Sequence, residues 1–497
     1  MTSETFDMTR YAQELRARVG ADRAERIAQC NRKWAEEMAQ LENYHAPRNQ
    51  TDKAWTVMLV RQGIIGREMG ARILGAILDM ESAEPLTSGE GPIARRIGLD
   101  DAGFVNIGRT LGEPMHRLKV RDKLLAVFDW LLELRRVLLD GALHYCDTVM
   151  PGYTHMCHAQ ASTYGHYLMS VHDPVERGMT ELEAAWDSTN RSSIGSGALA
   201  GTSWPIDRDL VAELLGMNGI VENGNDCEGS RDHFVSALSA LCNLMGLASR
   251  VAMDMNIWTM EEVRMIEVAP AWCGQSSMMP QKRNFGSVFE RTRNETTRVY
   301  AMLSQVLTLC YSAPHGDMLH PNATTAPTLE GIFASEKALG ILAGIIPDLT
   351  PNAEVMLRFA REGFSCATEL AAELVRQRDM PLRPAHTVVA SFVRMAWDES
   401  VTADRTTGEM LDEAAMQVLG RRGDFTTEQV RKYLDPVHFV QVHTSVGGVA
   451  PKMVRRAARK AEGRLDTAIR RHEQRRQKLA EAGKKLDREA RRIIGGK

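Results

Sequence analysis

The sequence predicts an all-α protein built in three regions around a bundle of long helices. Apolar residues recur at three- and four-residue spacing over long windows. Between the windows lie polar breaks carrying glycine and proline, while the totals of both (39 and 18) stay modest and aromatics make up only 6%. At 497 residues the chain is too long for one compact core. The expected regions are 1–115, with short helices, 116–362, with the long-helix bundle, and 363–497, with shorter helices and a basic terminal helix.

Taken in order, helical spacing is expected over 21–41 and 56–80, followed by a Pro/Gly/Ser-punctuated stretch over 84–101. A polar break follows, Val105 to Glu113 (VNIGRTLGE). Leu118, Leu124, Leu125, Phe128, Leu131, Leu132, Leu138 and Leu139 then mark a long helix over 114–150. It ends at a second break, MPGYTHMCHAQ over 150–160. Helices are expected over 161–186, 231–260, 287–308 and 328–349. Segments this long, apolar on more than one face, imply burial against many neighbours. The glycines of 194–202 (IGSGALAGT) do not make a dinucleotide fingerprint. Their spacing is wrong, no strand precedes them and no βαβ pattern surrounds them.

The totals exclude several classes. The eight cysteines form no C-x-x-C pair, so neither a zinc ribbon nor a dithiol redox site is expected, and scattered thiols suit a reducing cytoplasm. No basic segment followed by an apolar one opens the chain, and no run reaches the uncharged apolar length of a membrane span. From Pro451 onward there are 17 Lys+Arg against 6 Asp+Glu, a net of +11 that leaves −14 on the rest of a chain whose formal charge is −3. This helix, expected over 452–494, lacks interleaved aromatics. It reads as a solvated face rather than a nucleic-acid arm.

The third break, GQSSMMPQKRN over 274–284, carries the most chemistry. Ser276, Ser277, Lys282 and Asn284 place two hydroxyls, an ammonium and an amide within nine positions. Such a set can grip a carboxylate and remove a neighbouring proton. It is richer in polar groups than a helix connection needs.

These breaks resemble the motifs of the fumarase/aspartase superfamily, and within it argininosuccinate lyase. Residues 274–284 are similar to the signature G-S-S-x-M-P-x-K-x-N. Residues 150–160 resemble M-P-G-Y-T-H-x-x-x-A-Q, residues 195–208 resemble G-S-G-A-L-A-G-T-x-x-P-I-D-R, and the stretch from Gly363 resembles G-F-x-x-A-T-x-L-A-x-x-L-V. The resemblance covers nearly the whole chain. It implies a three-region fold of that type, a homotetramer whose active sites are assembled from loops of different subunits, and β-elimination from a succinyl-type substrate to fumarate and an amine. The sequence shows no metal-ligand cluster, so no metal or cofactor is expected.

The resemblance also assigns roles. Ser276 corresponds to the base, acting as an oxyanion stabilised by Lys282 and loop N–H groups. Lys282 and Asn284 hold the carboxylate and the developing charge, with Ser277 as a further donor and Met279 beside them. Thr154 and His155 match the Thr-His pair, and Gln160 closes that motif. Aligning Arg298-Val299-Tyr300 makes Glu290 the partner of His155, at the cost of one extra residue after Asn284. His158 is expected at the surface or behind the site.

The departures fall on substrate contacts. Argininosuccinate lyases carry H-T-G-R-S-R-N-D in the first loop, where this chain has NIGRTLGE over 106–113. That leaves Arg109 with Thr110 to replace the lost contacts. The Y-N-K-D-L-Q segment has no counterpart in APHGDMLH over 313–320. Gln275 stands for a glycine and Phe285 for a proline. The expected activity is therefore a carbon–nitrogen lyase for a different N-substituted aspartate, such as an aminopolycarboxylate of the ethylenediamine-disuccinate kind. Argininosuccinate is the runner-up substrate, and a silent relative like the lens crystallins is the non-enzymatic alternative.

Overall fold

The computed structural model describes residues 36, 38, 43–110, 114–275, 278–279, 283–284, 286–317 and 322–496; at 274, 275, 283, 284, 286 and 287 it describes the backbone alone. The helix expected over 21–41 lies outside these residues except at 36 and 38. The first helices are α1 (His45–Arg61) and α2 (Arg67–Glu81). One helix was expected over 56–80, and the structure has two. Gly63 takes φ +65° between them, a left-handed conformation that glycine adopts without a Cβ clash, so the chain turns there. The short α3 (Glu90–Ile97) follows.

Five long helices then build the bundle: α4 (Met115–His144), α5 (Tyr164–Thr189), α6 (Asp232–Trp258), α7 (Gly286–Tyr311) and α8 (Thr325–Ile345), of 30, 26, 27, 26 and 21 residues. Most of their bounds lie within a few residues of the expected ones, though α4 ends at His144, six residues before the expected 150. The Thr163 hydroxyl starts α5 by accepting from the His166 N–H at 3.1 Å. In α8, 18 of 21 residues are buried, which makes it the enclosed helix of the bundle. One continuous core joins Phe128 and Leu131 of α4, Leu182 of α5, Phe234 and Leu241 of α6, Phe289 of α7 and Leu339 of α8. Each such side chain contributes about 1.5–3 kcal/mol through burial. The helix α6 has the length and composition of a membrane span, yet half of that window is buried inside the bundle.

The all-α expectation needs one amendment, because short strands punctuate the bundle's ends. Between α4 and α5, residues expected as an irregular break form an antiparallel hairpin, β1 (Val149–Thr154) and β2 (Cys157–Thr163). After α6, β3 (Ile266–Val268) pairs with a distant strand over Leu349–Pro351, and β4 (Gly274–Gln275) pairs with β5 (Arg283–Asn284), all antiparallel. The chain continues as α9 (Ala353–Glu362), α10 (Ala367–Arg378), α11 (Leu382–Asp398), α12 (Gly408–Leu419), α13 (Thr427–Leu434) and α14 (Pro436–Val442). Leu374, Phe392, Leu411 and Val430 form a separate core among α10 to α13.

The terminal helix α15 (Pro451–Ile494) runs 44 residues, about 66 Å at 1.5 Å per residue. It was grouped with 363–497, but it packs elsewhere. Val454, Ala458, Ala461 and Leu465 enter the bundle core. Leu486, Ala490 and Ile493 enter a second core with Trp55, Ile73 and Ile77 of α1 and α2. Its cations meet acids of the other elements. Arg464 pairs with Glu176 at 2.7 Å, Arg471 with Glu183 at 2.7 Å and Lys485 with Glu213 at 2.5 Å, while Arg476 pairs with Asp129. Much of the +11 is thus balanced within the chain.

At one end of the bundle, two histidines are enclosed beside arginines. Burial, then the Arg231 charge, lowers His116 from 6.5 to about 4. Burial, then Arg117, lowers His233 to about 3 against the opposing pull of Asp232, whose Oδ1 lies 3.8 Å from Nδ1, beyond hydrogen-bond reach. In the unfolded chain both bind protons near pH 6.5, so between pH 6.5 and about 4 the unfolded state holds more protons than the folded one. Stability is therefore full above pH 6.5 and falls as pH falls through that window, by up to about 1.4 kcal/mol per unit per histidine. Denaturant melts at pH 7 and pH 5 check this. His233→Leu is expected to make the pH dependence shallower, and an unchanged slope would exclude His233 as a contributor.

Candidate active site

The first break is held by α1. The Trp55 indole N–H donates to the Ile107 carbonyl at 2.9 Å, and the Asn106 amide donates to Glu90 at 2.6 Å. Gly108 turns the loop at φ +76°. Arg109 faces inward. Its guanidinium pairs with Asp52, the two side chains being 2% and 3% exposed, and lies 5.8 Å from the Trp55 ring centroid. In the single chain Arg109 is thus held against Asp52 rather than exposed to solvent, while its buried Nε has no hydrogen-bond partner. Thr110 is half-buried at the end of the loop, and 111–113 lie outside the described residues.

The second break is the β1–β2 hairpin. Thr154 pairs with Cys157 across a two-residue turn, and Tyr153 pairs with His158. The turn residues His155 and Met156 take φ +55° and +60°. Two left-handed residues give a hairpin turn whose twist matches that of its strands, although glycine or asparagine would adopt it at lower cost. The register shifts between Pro151 and Tyr153. A Cβ on the intervening Gly152 would stand 2.5 Å from the Gln160 carbonyl oxygen, so only glycine fits. Thr154, His155 and Met156 are all exposed.

The other end of this hairpin is anchored. Gln160 donates to the Thr368 hydroxyl at 3.1 Å, and the Ala161 N–H donates to the Ser365 carbonyl at 3.1 Å. Gln160, expected to touch substrate, thus ties the hairpin to α10. His158 is exposed, as expected, and its ring centroid lies 5.2 Å from that of Tyr153. Partial burial lowers its pKa.

The third break begins and ends on the β4–β5 ladder, Gly274 opposite Asn284 and Gln275 opposite Arg283. Its base is held by Trp272, whose indole N–H donates to Asp348 at 2.7 Å. Ser276, Ser277 and Lys282 lie outside the described residues, and Asn284 is described by its backbone alone. Met278 and Met279 are 80% and 46% exposed. Glu290 is exposed in the first turns of α7. Among the described contacts of the single chain, none joins Glu290 to His155.

Two features escaped the sequence reading. Asp52, the partner of Arg109, is 57 residues away, and nothing in its neighbourhood marks it. The cluster His172, Asp173 and Glu176 on α5 offers metal-type ligands. Glu176, however, is already held by Arg135 and by two nitrogens of Arg464, so guanidinium groups occupy the carboxylate.

Comparison with known proteins bears on the sequence and the fold. The family described as "Lyase" matches residues 75–300, and "Argininosuccinate lyase C-terminal" matches 364–441. The argininosuccinate lyase of Methanoculleus marisnigri is 31% identical over 418 residues, covering 81% of this chain and 84% of that protein. The argininosuccinate lyase of Methanocorpusculum labreanum is 32% identical over 435 residues, covering 84% and 86%. Among solved structures, an EDDS lyase in complex with formate aligns with a TM-score of 0.85 and 27% identity over 92% of this chain and 96% of that one. The class II fumarase of Schistosoma mansoni shares the fold, with a TM-score of 0.64 and 14% identity over 79% and 90%. A helical bundle with its motif-bearing segments at the helix ends, matched over most of its length by these proteins, makes this chain a lyase of the fumarase/aspartase superfamily, argininosuccinate lyase-like in sequence.

Proposed function

We propose that the chain is a carbon–nitrogen lyase that eliminates an amine from an N-substituted aspartate and leaves fumarate. Ser276 takes a proton from the carbon beside a carboxylate. Lys282, Asn284 and Ser277 stabilise the enolate-like dianion, and Met279 borders them. Thr154 and His155 face the substrate from a second loop, with Glu290 tuning the histidine. As the nitrogen leaves it takes a proton, and the carbon–carbon double bond of fumarate forms.

One observation carries the proposed assembly. The first break immediately precedes α4 and the hairpin immediately follows it, and α4 is 30 residues long, about 45 Å. The two loops of one chain therefore cannot meet on one small substrate, so where Thr110 of the first loop borders the site, as its place in the motif supports, it comes from a different subunit than the hairpin. Tyr300, Leu307 and Tyr311 of α7 are 46%, 37% and 69% exposed, an apolar face suited to packing against another copy. A homotetramer satisfies both. The seven described cysteines form no disulfide, in keeping with a cytoplasmic enzyme.

The substrate we favour is not argininosuccinate. The first loop lacks the family's second arginine, and its remaining arginine is spent on Asp52. The likeness to an EDDS lyase supports an aminopolycarboxylate, whereas the names of the curated relatives favour argininosuccinate as the alternative. Loss of fumarate absorbance, followed with a panel of amines and with arginine, separates the two. Consumption of arginine alone would remove the favoured substrate, and consumption of nothing would remove the lyase reading.

Three variants test the roles. Ser276→Ala is expected to lower kcat by at least about 10²-fold with the oligomer intact by light scattering, and retained turnover would exclude Ser276 as base. Chains carrying Ser276→Ala and His155→Asn, each inactive alone, are expected to regain part of the activity when co-assembled, because some mixed sites then hold neither substitution. No recovery would place both residues in one chain's site. Arg109→Met removes the closer of two guanidinium groups around the buried Asp52 carboxylate, leaving Arg48 at 3.9 Å, and a stability loss of about 1–3 kcal/mol by denaturant is expected. Unchanged stability with a raised KM would return Arg109 to the substrate.

A further inference from the structure

Behind the hairpin lies a cavity of about 580 Å³ that the proposed elimination does not use. Its position follows from the alternation of the strands. Tyr153 and His158 form one cross-strand pair, and Thr154 and Cys157 form the next, so the two pairs point to opposite faces. Tyr153 and His158 line the cavity, while Thr154 faces away from it. The floor is the start of α5 and the end of α6, and α9 closes one side.

The lining has a definite chemistry. Tyr167 and Trp258 meet edge-to-face at 4.6 Å between centroids, and Tyr153 and Phe359 add two more rings. The charged side chains of the lining are the carboxylates Asp254 and Glu362, with neither lysine nor arginine among them. The Tyr167 hydroxyl donates to Asp254 Oδ2 at 2.9 Å. Burial pushes the Asp254 carboxyl up, as expected where a negative charge lacks solvent. The cations near these acids stand outside the lining. Arg358 lies 3.8 Å from Glu362 and over the outer Phe359 ring, and Arg250 acts on Asp254. His166 is occupied, bonded to Ser162 and to the Gly447 carbonyl, and burial lowers the His158 pKa, which favours its neutral form.

We propose that this cavity binds a small organic cation, an ammonium group carried on an apolar or aromatic body. Two carboxylates among four aromatic rings fit that charge and shape, since ring faces attract cations. The volume lies in the range of small-molecule sites, roughly 300–1,000 Å³. An occupant would rest against the inner face of the hairpin whose turn carries His155. The proposal does not depend on the lyase chemistry.

Calorimetric titration of the full-length protein with 2-phenylethylammonium, 2-phenylethanol and 3-phenylpropionate tests it. The ammonium is expected to bind at least about 10-fold more tightly than the alcohol, and the carboxylate not at all. Asp254→Asn and Glu362→Gln are each expected to weaken the ammonium about 10-fold or more. Hydrogen exchange is expected to slow over 149–163 when the ammonium binds. Equal affinity for the alcohol would overturn the proposal, as would no binding at millimolar ammonium or unchanged affinity in both variants. Protection confined to 274–284 would place the cation in the catalytic loop and equally overturn it. Should Asp254→Asn fail to fold, the half-exposed Glu362 and the alcohol comparison on the unmodified protein still decide.

Discussion

The apolar seam of α4 constrains everything else in this molecule. Leu124, Phe128, Leu131 and Leu138 are fully buried and hold a rod of about 45 Å rigid against α5, α8 and α15. A rod fixed at both ends sets where the functional loops can be. The first break sits at its N-terminal end, pinned by Trp55, and the hairpin sits at its C-terminal end, pinned by Gln160 and Ala161. The scaffold thus keeps these two loops of one chain apart, and the proposed oligomer is what would bring loops of different copies together.

The terminal helix reinforces the same constraint. Its first turns share the core of α4, and its last turns share the core of α1 and α2. Lys53, only 6% exposed, reaches Glu81 at 2.8 Å and Asp487 at 2.7 Å, so the last turns of α15 are tied to the first helices by charge as well as by burial. Such exposed-to-buried pairs are individually modest. They act here as registration, holding a 44-residue helix at one position along two cores. The basic composition that suggested a solvated face is better described as the matching half of an acidic bundle surface.

Legibility in the sequence followed the physics of each element. The long helices were readable because burial on several faces imposes a three-to-four period that few other structures share, and α6, α7 and α15 fall within a few residues of their expected spans. The hairpin was not readable. MPGYTHMCHAQ alternates poorly, and its turn uses His155 and Met156 where Asn-Gly would have signalled it. The split of α1 from α2 rests on one glycine conformation. At the candidate site, the motifs gave residue types and order, but the orientation of Arg109 depends on Asp52. A partner 57 residues away is a tertiary fact that no local pattern encodes.

That orientation bears directly on specificity. A loop can change what it binds either by presenting a new group or by withdrawing an old one, and the inward turn of Arg109 has an identifiable cause. Asp52 supplies a desolvated carboxylate beside Trp55, and Arg109 is the nearest group able to neutralise it, so the loop's one guanidinium is drawn into the protein. A site built to hydrogen-bond a substrate group can discriminate by about 10⁴-fold against one that lacks it. The reverse also holds, because a site that has withdrawn its donor no longer rewards the group that donor once recognised. The elimination motifs of the hairpin and the 274–284 loop are kept in sequence while this contact is not. The departures of this chain from the argininosuccinate lyase motifs thus fall mainly in the first loop, while the hairpin and the 274–284 segment keep most motif residues in sequence.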